Sequence, residues 1–142
     1  MRDALLTFQV GGMHLGIPVD RVEEVLRRHV MTRVPLATAA IGGLMNLRGQ
    51  IVLAVDLRYR LELGPRDGDR PPMHVVVRSH DALHSLLVDE IGDVLDLGGR
   101  VQERVPERIR DGVRALATGV YKLPERVILA LDVDRIADPA AL

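Results

Sequence analysis

The segment Val19-Asp20-Arg21-Val22-Glu23-Glu24-Val25-Leu26 recurs as Val88-Asp89-Glu90-Ile91-Gly92-Asp93-Val94-Leu95, an offset of 69. Further on, Gly43-Leu44-Met45-Asn46-Leu47-Arg48-Gly49-Gln50-Ile51-Val52-Leu53-Ala54-Val55-Asp56-Leu57 is echoed by Gly119-Val120-Tyr121-Lys122-Leu123-Pro124-Glu125-Arg126-Val127-Ile128-Leu129-Ala130-Leu131-Asp132-Val133, with five identities in fifteen at an offset of 76. A chain that repeats itself at this period folds as two copies of one plan. Here the plan reads as a hairpin, a short acid-capped turn of helix, an irregular stretch, a second hairpin and a short helix.

The local signals agree. Short runs rich in Val, Ile and Leu, punctuated by Gly, Pro and Asp, predict an all-β class with a few short helices. Leu5 to Val10 and Met13 to Pro18 flank Gly11-Gly12, a pair suited to the positive φ of a tight hairpin. A second hairpin runs through Val75 to Arg78 and Ala82 to Val88, turning at Ser79 to Asp81. The half-repeats span about residues 4–63 and 73–137 within one domain of 1–142. They are joined by Gly64 to Pro72, which holds no large apolar residue to bury and reads as an exposed linker. About five strands per copy, in roughly seventy residues, is the size of a small closed or nearly closed barrel. Such a unit is marginal alone, so the two barrels must pack together and leave an apolar groove at their junction. The repeat leaves open whether strands exchange between the barrels.

Composition narrows the function. Net charge is −1, with one Phe, two Tyr and no Trp, so both the basic excess and the stacking aromatics of a nucleic-acid binder are missing. No cysteine is present, which excludes disulfides, thiolate metal sites and cysteine nucleophiles. The N-terminus carries an acid and no long apolar core, so neither a signal peptide nor a membrane span is expected. His14, His29, His74, His80 and His84 lack metal-ligand spacing, and Gly11-Gly12 and Gly42-Gly43 lack the pattern of a phosphate loop. Asp20, Asp56, Asp89 and Asp132 each precede a candidate short helix, where capping accounts for them. No catalytic group, metal or cofactor is therefore expected.

The halves differ where Leu47-Arg48-Gly49-Gln50 faces Leu123-Pro124-Glu125-Arg126 in the repeat. Folding alone does not require an arginine there, which marks Asn46-Leu47-Arg48-Gly49 as specialised. A planar, permanently charged guanidinium there is suited to fixing a carboxylate.

These blocks, with Leu6-Thr7-Phe8, Gly16-Ile17-Pro18-Val19, Val22-Glu23-Glu24-Val25, Thr32-Arg33-Val34-Pro35, Gly43 to Val52 and Val55-Asp56-Leu57-Arg58, resemble the CheW family of chemotaxis coupling proteins. Leu87-Val88-Asp89, Val94-Leu95, Gly119-Val120-Tyr121 and Leu131-Asp132 extend the likeness over residues 5 to 137. Leu53 and Thr38 replace frequent prolines of that family, Leu15 a frequent aromatic, and Gly98 to Arg114 matches it poorly. The resemblance implies two SH3-like five-stranded barrels and a non-catalytic adaptor joining a chemoreceptor's cytoplasmic tip to a CheA-type histidine kinase. It implies a cytoplasmic protein recruited to membrane-associated arrays, without nucleic acid or membrane insertion, and the simple adaptor rather than one fused to a receiver domain. Partner-binding positions carried over are Val22, Glu24, Val25, Gly43, Arg48, Gly49, Ile91 and Val94, and because the resemblance places Glu24 and Arg48 near the groove, Glu24 is the expected partner of that guanidinium. Val22 with Ile91, and Val25 with Val94, are also repeat-equivalent pairs; the alternative for these four is core packing. Other readings are a CheW-like module for another kinase or a motility or localisation pathway, and a small-molecule or enzymatic barrel.

Overall fold

The computed structural model describes residues 4–65, 68 and 70–142. Ten strands are present: β1 (Ala4–Val10), β2 (Met13–Pro18), β3 (Val22–Leu26), β4 (Ile41–Leu47), β5 (Gln50–Asp56), β6 (Met73–Ser79), β7 (Ala82–Val88), β8 (Glu90–Asp96), β9 (Ala117–Lys122) and β10 (Val127–Leu131). Three short helices, α1 (Leu57–Arg60), α2 (Asp111–Leu116) and α3 (Val133–Ile136), complete the regular elements named here. Of the predicted linker, Arg66, Asp67 and Asp69 lie outside the described residues, while Gly64, Pro65, Gly68, Arg70 and Pro71 are exposed. Among the described residues no helix is long and apolar enough to cross a membrane.

Both predicted hairpins form. Gly11 and Gly12 turn the first at φ +58° and +80°, and His80 and Asp81 turn the second at +52° and +59° without a glycine. The strands assemble into two five-stranded sheets, ordered β8-β1-β2-β10-β9 and β3-β6-β7-β5-β4. The sheets are not the two sequence halves. The chain lays down β1 and β2 in the first sheet, crosses to build all of the second from β3 to β7, then returns for β8 to β10. Crossings fall at the 3-10 turn Val19–Arg21 and at Asp89, and the predicted linker connects elements of one sheet.

The architecture is the expected two-sheet, SH3-like one, with a correction: neither sheet closes by continuous pairing of its edge strands. A single bridge joins the edges instead. In the second sheet Thr32 N donates to Leu44 O and Leu44 N to Thr32 O, both at 2.8 Å, so the segment after β3 grips β4. In the first, Glu103 and Val120 exchange the same two bonds at 2.8 Å, gripping β9.

A second correction concerns Val22 to Leu26 and Ile91 to Leu95, which are strands rather than turns of helix. Each carries a bulge: Val22 and Glu24 oppose the consecutive residues Val77 and Val76, and Ile91 and Val94 oppose Phe8 and Leu6. A bulge puts residues three apart on one face, which imitates the helical period in sequence. Capping is likewise right for two of the four aspartates. Asp56 accepts from Tyr59 N at 3.3 Å and Asp132 from Arg135 N at 3.1 Å. Asp20 lies inside the 3-10 turn, which has no side-chain cap. Asp89 instead accepts from Gly11 N at 2.7 Å and pairs with Arg58 at 3.2 Å.

The core has three parts. Met45, Val52, Val76 and Leu87 fill the second sheet, and Leu5, Leu97, Tyr121 and Ile128 the first. The largest cluster lies between the sheets and joins Leu6, Phe8 and Ile17 to Val75, Val77 and Leu86, with Val113 and Leu116 of α2. Each sheet thus takes strands from both halves and shares its core with the other. A chain divided within residues 66–69 is expected to give two fragments that are each unfolded by circular dichroism, and whose mixing restores one cooperative unfolding transition.

At one crossing Arg21 Nη1 donates to Asp134 Oδ2 at 3.3 Å, Ser79 Oγ donates to Asp134 Oδ1 at 2.7 Å, and His80 Nε2 donates to Asp134 O at 3.1 Å. The bonds from Arg21 and then Ser79 hold the Asp134 carboxyl down at about 2, from 3.8. A depressed carboxylate contributes stability above its ordinary pKa and loses it as pH falls towards the folded value. Because this side chain is half exposed, Asp134→Asn should cost only about 0–1 kcal/mol at pH 7. The deficit against the parent should shrink below pH 4 and vanish near pH 2 in urea titrations.

Candidate partner-binding site

β3 and β8 are edge strands, and the bulges decide what they present. Residues directly opposite in an antiparallel pair share a face. Val22 and Val25 oppose Val77 and Val75, while Ile91 and Val94 oppose Phe8 and Leu6, all four partners belonging to the inter-sheet cluster. The four predicted positions therefore line the seam between the sheets. Val22 and Ile91 are half-buried against the core there. Val25 is 45% and Val94 55% exposed, so the seam keeps an apolar rim.

Glu24 opposes Val76, whose side chain belongs to the second sheet's own core, and so lies on the other face of β3. Its carboxylate takes a two-pronged bond from Arg48, with Nη1 donating to Oε1 at 3.2 Å and Nη2 to Oε2. Arg48 holds the Glu24 carboxyl below its ordinary value, and Glu24 holds the guanidinium above its own. The expected pair, its arginine marked by the repeat asymmetry and its carboxylate by the family resemblance, is thus formed, and it spans the gap between edge strand β3 and the β4–β5 turn.

That turn is Arg48-Gly49, with φ of +52° and +83°. Arginine is disfavoured at positive φ, and proline cannot adopt it, which is why Pro124-Glu125 in the other half makes a different turn. Asn46 Oδ1 accepts from Gly49 N at 2.8 Å and fastens the turn to its own strand. Gly43 stands apart from this group. A Cβ there would meet Thr32 O at 2.9 Å, so Gly43 admits the closing bridge.

Four residues escaped the sequence reading. Ile51 lies opposite Asn46 and Val127 opposite Lys122, while Val30 and Val101 each stand two residues before a closing bridge, at Thr32 and Glu103. Val30, Ile51, Val101 and Val127 are 83%, 64%, 78% and 48% exposed. Each sheet thus leaves one apolar residue exposed on its hairpin and another just before its closing bridge. The signal was available, because Ile51 and Val127 occupy equivalent places in the repeat.

Burial lowers the pKa of His74 and His84, and His74 Nδ1 lies 3.0 Å from Ser85 Oγ. Among the described residues no three of His, Asp or Glu group to hold a metal ion.

Residues 4–140 match the family model of the CheW-like domain. A probable chemotaxis protein CheW of Rhizobium etli is 26% identical over 132 residues, covering 93% of this chain and 85% of that protein. The chemotaxis protein CheW of Thermotoga maritima is 29% identical over 136 residues, covering 94% and 87%. The crystal structure of the scaffolding protein TtCheW from Thermoanaerobacter tengcongensis shares the fold, with a TM-score of 0.84 at 23% identity over 97% of this chain and 94% of that one.

The seam geometry separates two substitutions. Val25→Asp, on the exposed rim, should change stability by under about 0.5 kcal/mol, whereas Val22→Asp puts a charge against the core and should cost about 2 kcal/mol or more. Urea unfolding of the two variants checks this, and equal losses would refute the placement.

Proposed function

Because the chain belongs to the CheW-like domain family, we propose that it is a non-catalytic adaptor coupling the cytoplasmic tip of a methyl-accepting chemoreceptor to the regulatory domain of a CheA-type histidine kinase. The observation that carries this reading is the two-sided edge strand β3. One face offers Val22 and Val25 to the apolar seam, and the other holds Glu24 in the charged clasp with Arg48. An adaptor needs two separable surfaces of different chemistry, and these sit back to back on one strand.

On this reading the receptor tip takes the seam, where Val22, Val25, Ile91 and Val94 offer apolar contact. The kinase takes the clasp, with Gly43 and Gly49 shaping the turn and bridge around it. Exposed Ile51 of β5, and Val30 just before the closing bridge, extend that surface. Recruitment to membrane-associated arrays then follows from receptor binding. Asp56 and Asp132 serve as helix caps and Asp89 and Asp134 stand in ion pairs, which are structural roles.

Arg48 is 71% exposed, and an exposed ion pair contributes little to folding. Replacing it by Ala should leave the thermal midpoint nearly unchanged while weakening co-sedimentation with receptor-bearing membranes and kinase by about tenfold or more. Arg48→Gly, which relieves the positive φ, should lose assembly equally with no loss of stability. Collapse of the fold in both variants, or intact assembly in either, would overturn the proposal.

A further inference from the structure

We propose that His29 is the positioning residue of the Arg48–Glu24 clasp, holding the base of the turn that carries Arg48; this rests on the partner-binding reading of Arg48. β4 is an edge strand of the second sheet. Strand β4 pairs with β5 on one side, with Leu47 opposite Gln50 across the two-residue turn and Asn46 opposite Ile51. In such a hairpin the N–H and C=O of alternate residues point away from the partner strand. Leu44 and Asn46 are those residues here. The outward groups of Leu44 are taken by Thr32 through the closing bridge at 2.8 Å.

The next outward carbonyl is that of Asn46, and it is bound by a side chain. His29 Nε2 donates to Asn46 O at 2.9 Å, so an imidazole continues the closure one step nearer the turn. A carbonyl acceptor requires the proton on Nε2. The ring is itself held, resting edge-on against buried His74 with centroids 6.4 Å apart at 76°. Asn46 is therefore gripped at its backbone by His29 while its own Oδ1 holds Gly49 N at 2.8 Å. Glu24 also feels the ring, which helps lower its pKa after the larger effects of Arg48.

This device is confined to one half. Displacing His29 by the offset that relates Thr32 to Glu103 leads to Arg100, and there Lys122 instead forms an ion pair with Glu103 at 3.2 Å. The half that carries Arg48 at positive φ is the half that carries the histidine. A strained turn whose arginine must meet Glu24 gains from a fixed base, because freedom at Asn46 would be passed to Arg48.

The test uses the full chain, receptor-bearing membranes and the CheA-type kinase of the same organism. His29→Leu should weaken co-sedimentation about three- to tenfold with the thermal midpoint within about 3 °C of the parent. His29→Gln, which keeps an N–H donor, should restore most of the loss. In an Arg48→Ala background, His29→Leu should cause no further loss, since it acts through Arg48. Additive losses, or no rescue by Gln, would overturn the proposal. Amide exchange at Gly49 gives a readout free of any partner: it should quicken in His29→Leu and recover in His29→Gln, and unchanged exchange would also refute the positioning role. If Arg48→Ala alone leaves assembly intact, the partner-binding reading falls and takes the clasp's function with it, while Gly49 exchange still reports whether His29 holds the turn.

Discussion

Neither sheet can be completed from one half of the sequence, and the remainder of the structure follows from that exchange. The first sheet needs β1 and β2 from the beginning of the chain and β8 to β10 from its end, with the whole second sheet laid down between them. The strand that follows each crossing, β3 or β8, becomes an edge of its new sheet. An edge strand is free to bulge because only one neighbour constrains its register. Both strands bulge, and the bulges turn Val22 with Val25 and Ile91 with Val94 towards the seam. The apolar rim is thus a consequence of where the chain crosses.

The parts of the fold legible in the sequence were those governed by local rules. Alternation and paired turn residues marked the hairpins, even where His80 and Asp81 took the place of glycine. Asp56 and Asp132 read correctly as caps because capping is decided within three residues. Misreadings arose where distant groups took over. A bulged strand spaces its inward residues three apart, so β3 and β8 carried a helical signature, reinforced by Asp20 and Glu23 in the spacing of a capping box. Asp89 likewise precedes the apparent helix, though with Gly92 three residues on, yet its carboxylate serves the β1–β2 turn at Gly11 and the guanidinium of Arg58. Of the site, Arg48 was legible because a repeat exposes whatever one copy does not need, whereas Glu24, matched by the acid Asp93 in the other half, was reached only through the family resemblance. His29 was not, since a ring bound to a backbone carbonyl leaves no periodic trace.

The clasp also shows where strain is tolerated. Arg48 occupies a backbone region that glycine or asparagine would fill more easily, beside a glycine that is also at positive φ. Its position is over-determined: Glu24 holds the side chain, Asn46 holds the following amide, and His29 holds the strand behind it. The closing bridge at Thr32 and Leu44 supports all three, and it needs Gly43 because any Cβ there would crowd the Thr32 carbonyl. The glycine of this group is therefore tied to the site through closure of the sheet, two steps removed from any partner contact.

Duplication poses a further problem, since two copies of one plan can assemble wrongly. The crossings carry ion pairs of opposite sense: Arg58 of α1 meets Asp89 at one, and Asp134 of α3 meets Arg21 at the other. Arg58 and Asp134 are equivalent in the repeat, and Asp89 and Arg21 lie one position apart in it. Were the segments carrying α1 and α3 to exchange places, Asp134 would approach Asp89 and Arg58 would approach Arg21. Like charges at both crossings would disfavour that arrangement, while the native one has attraction at both. Asp134 gains Ser79 and His80 as further donors and Asp89 gains the Gly11 amide, so each native pair is anchored to a hairpin turn of the opposite sheet. Surface ion pairs add little to stability, but a pair whose sign reverses between copies specifies which copy goes where.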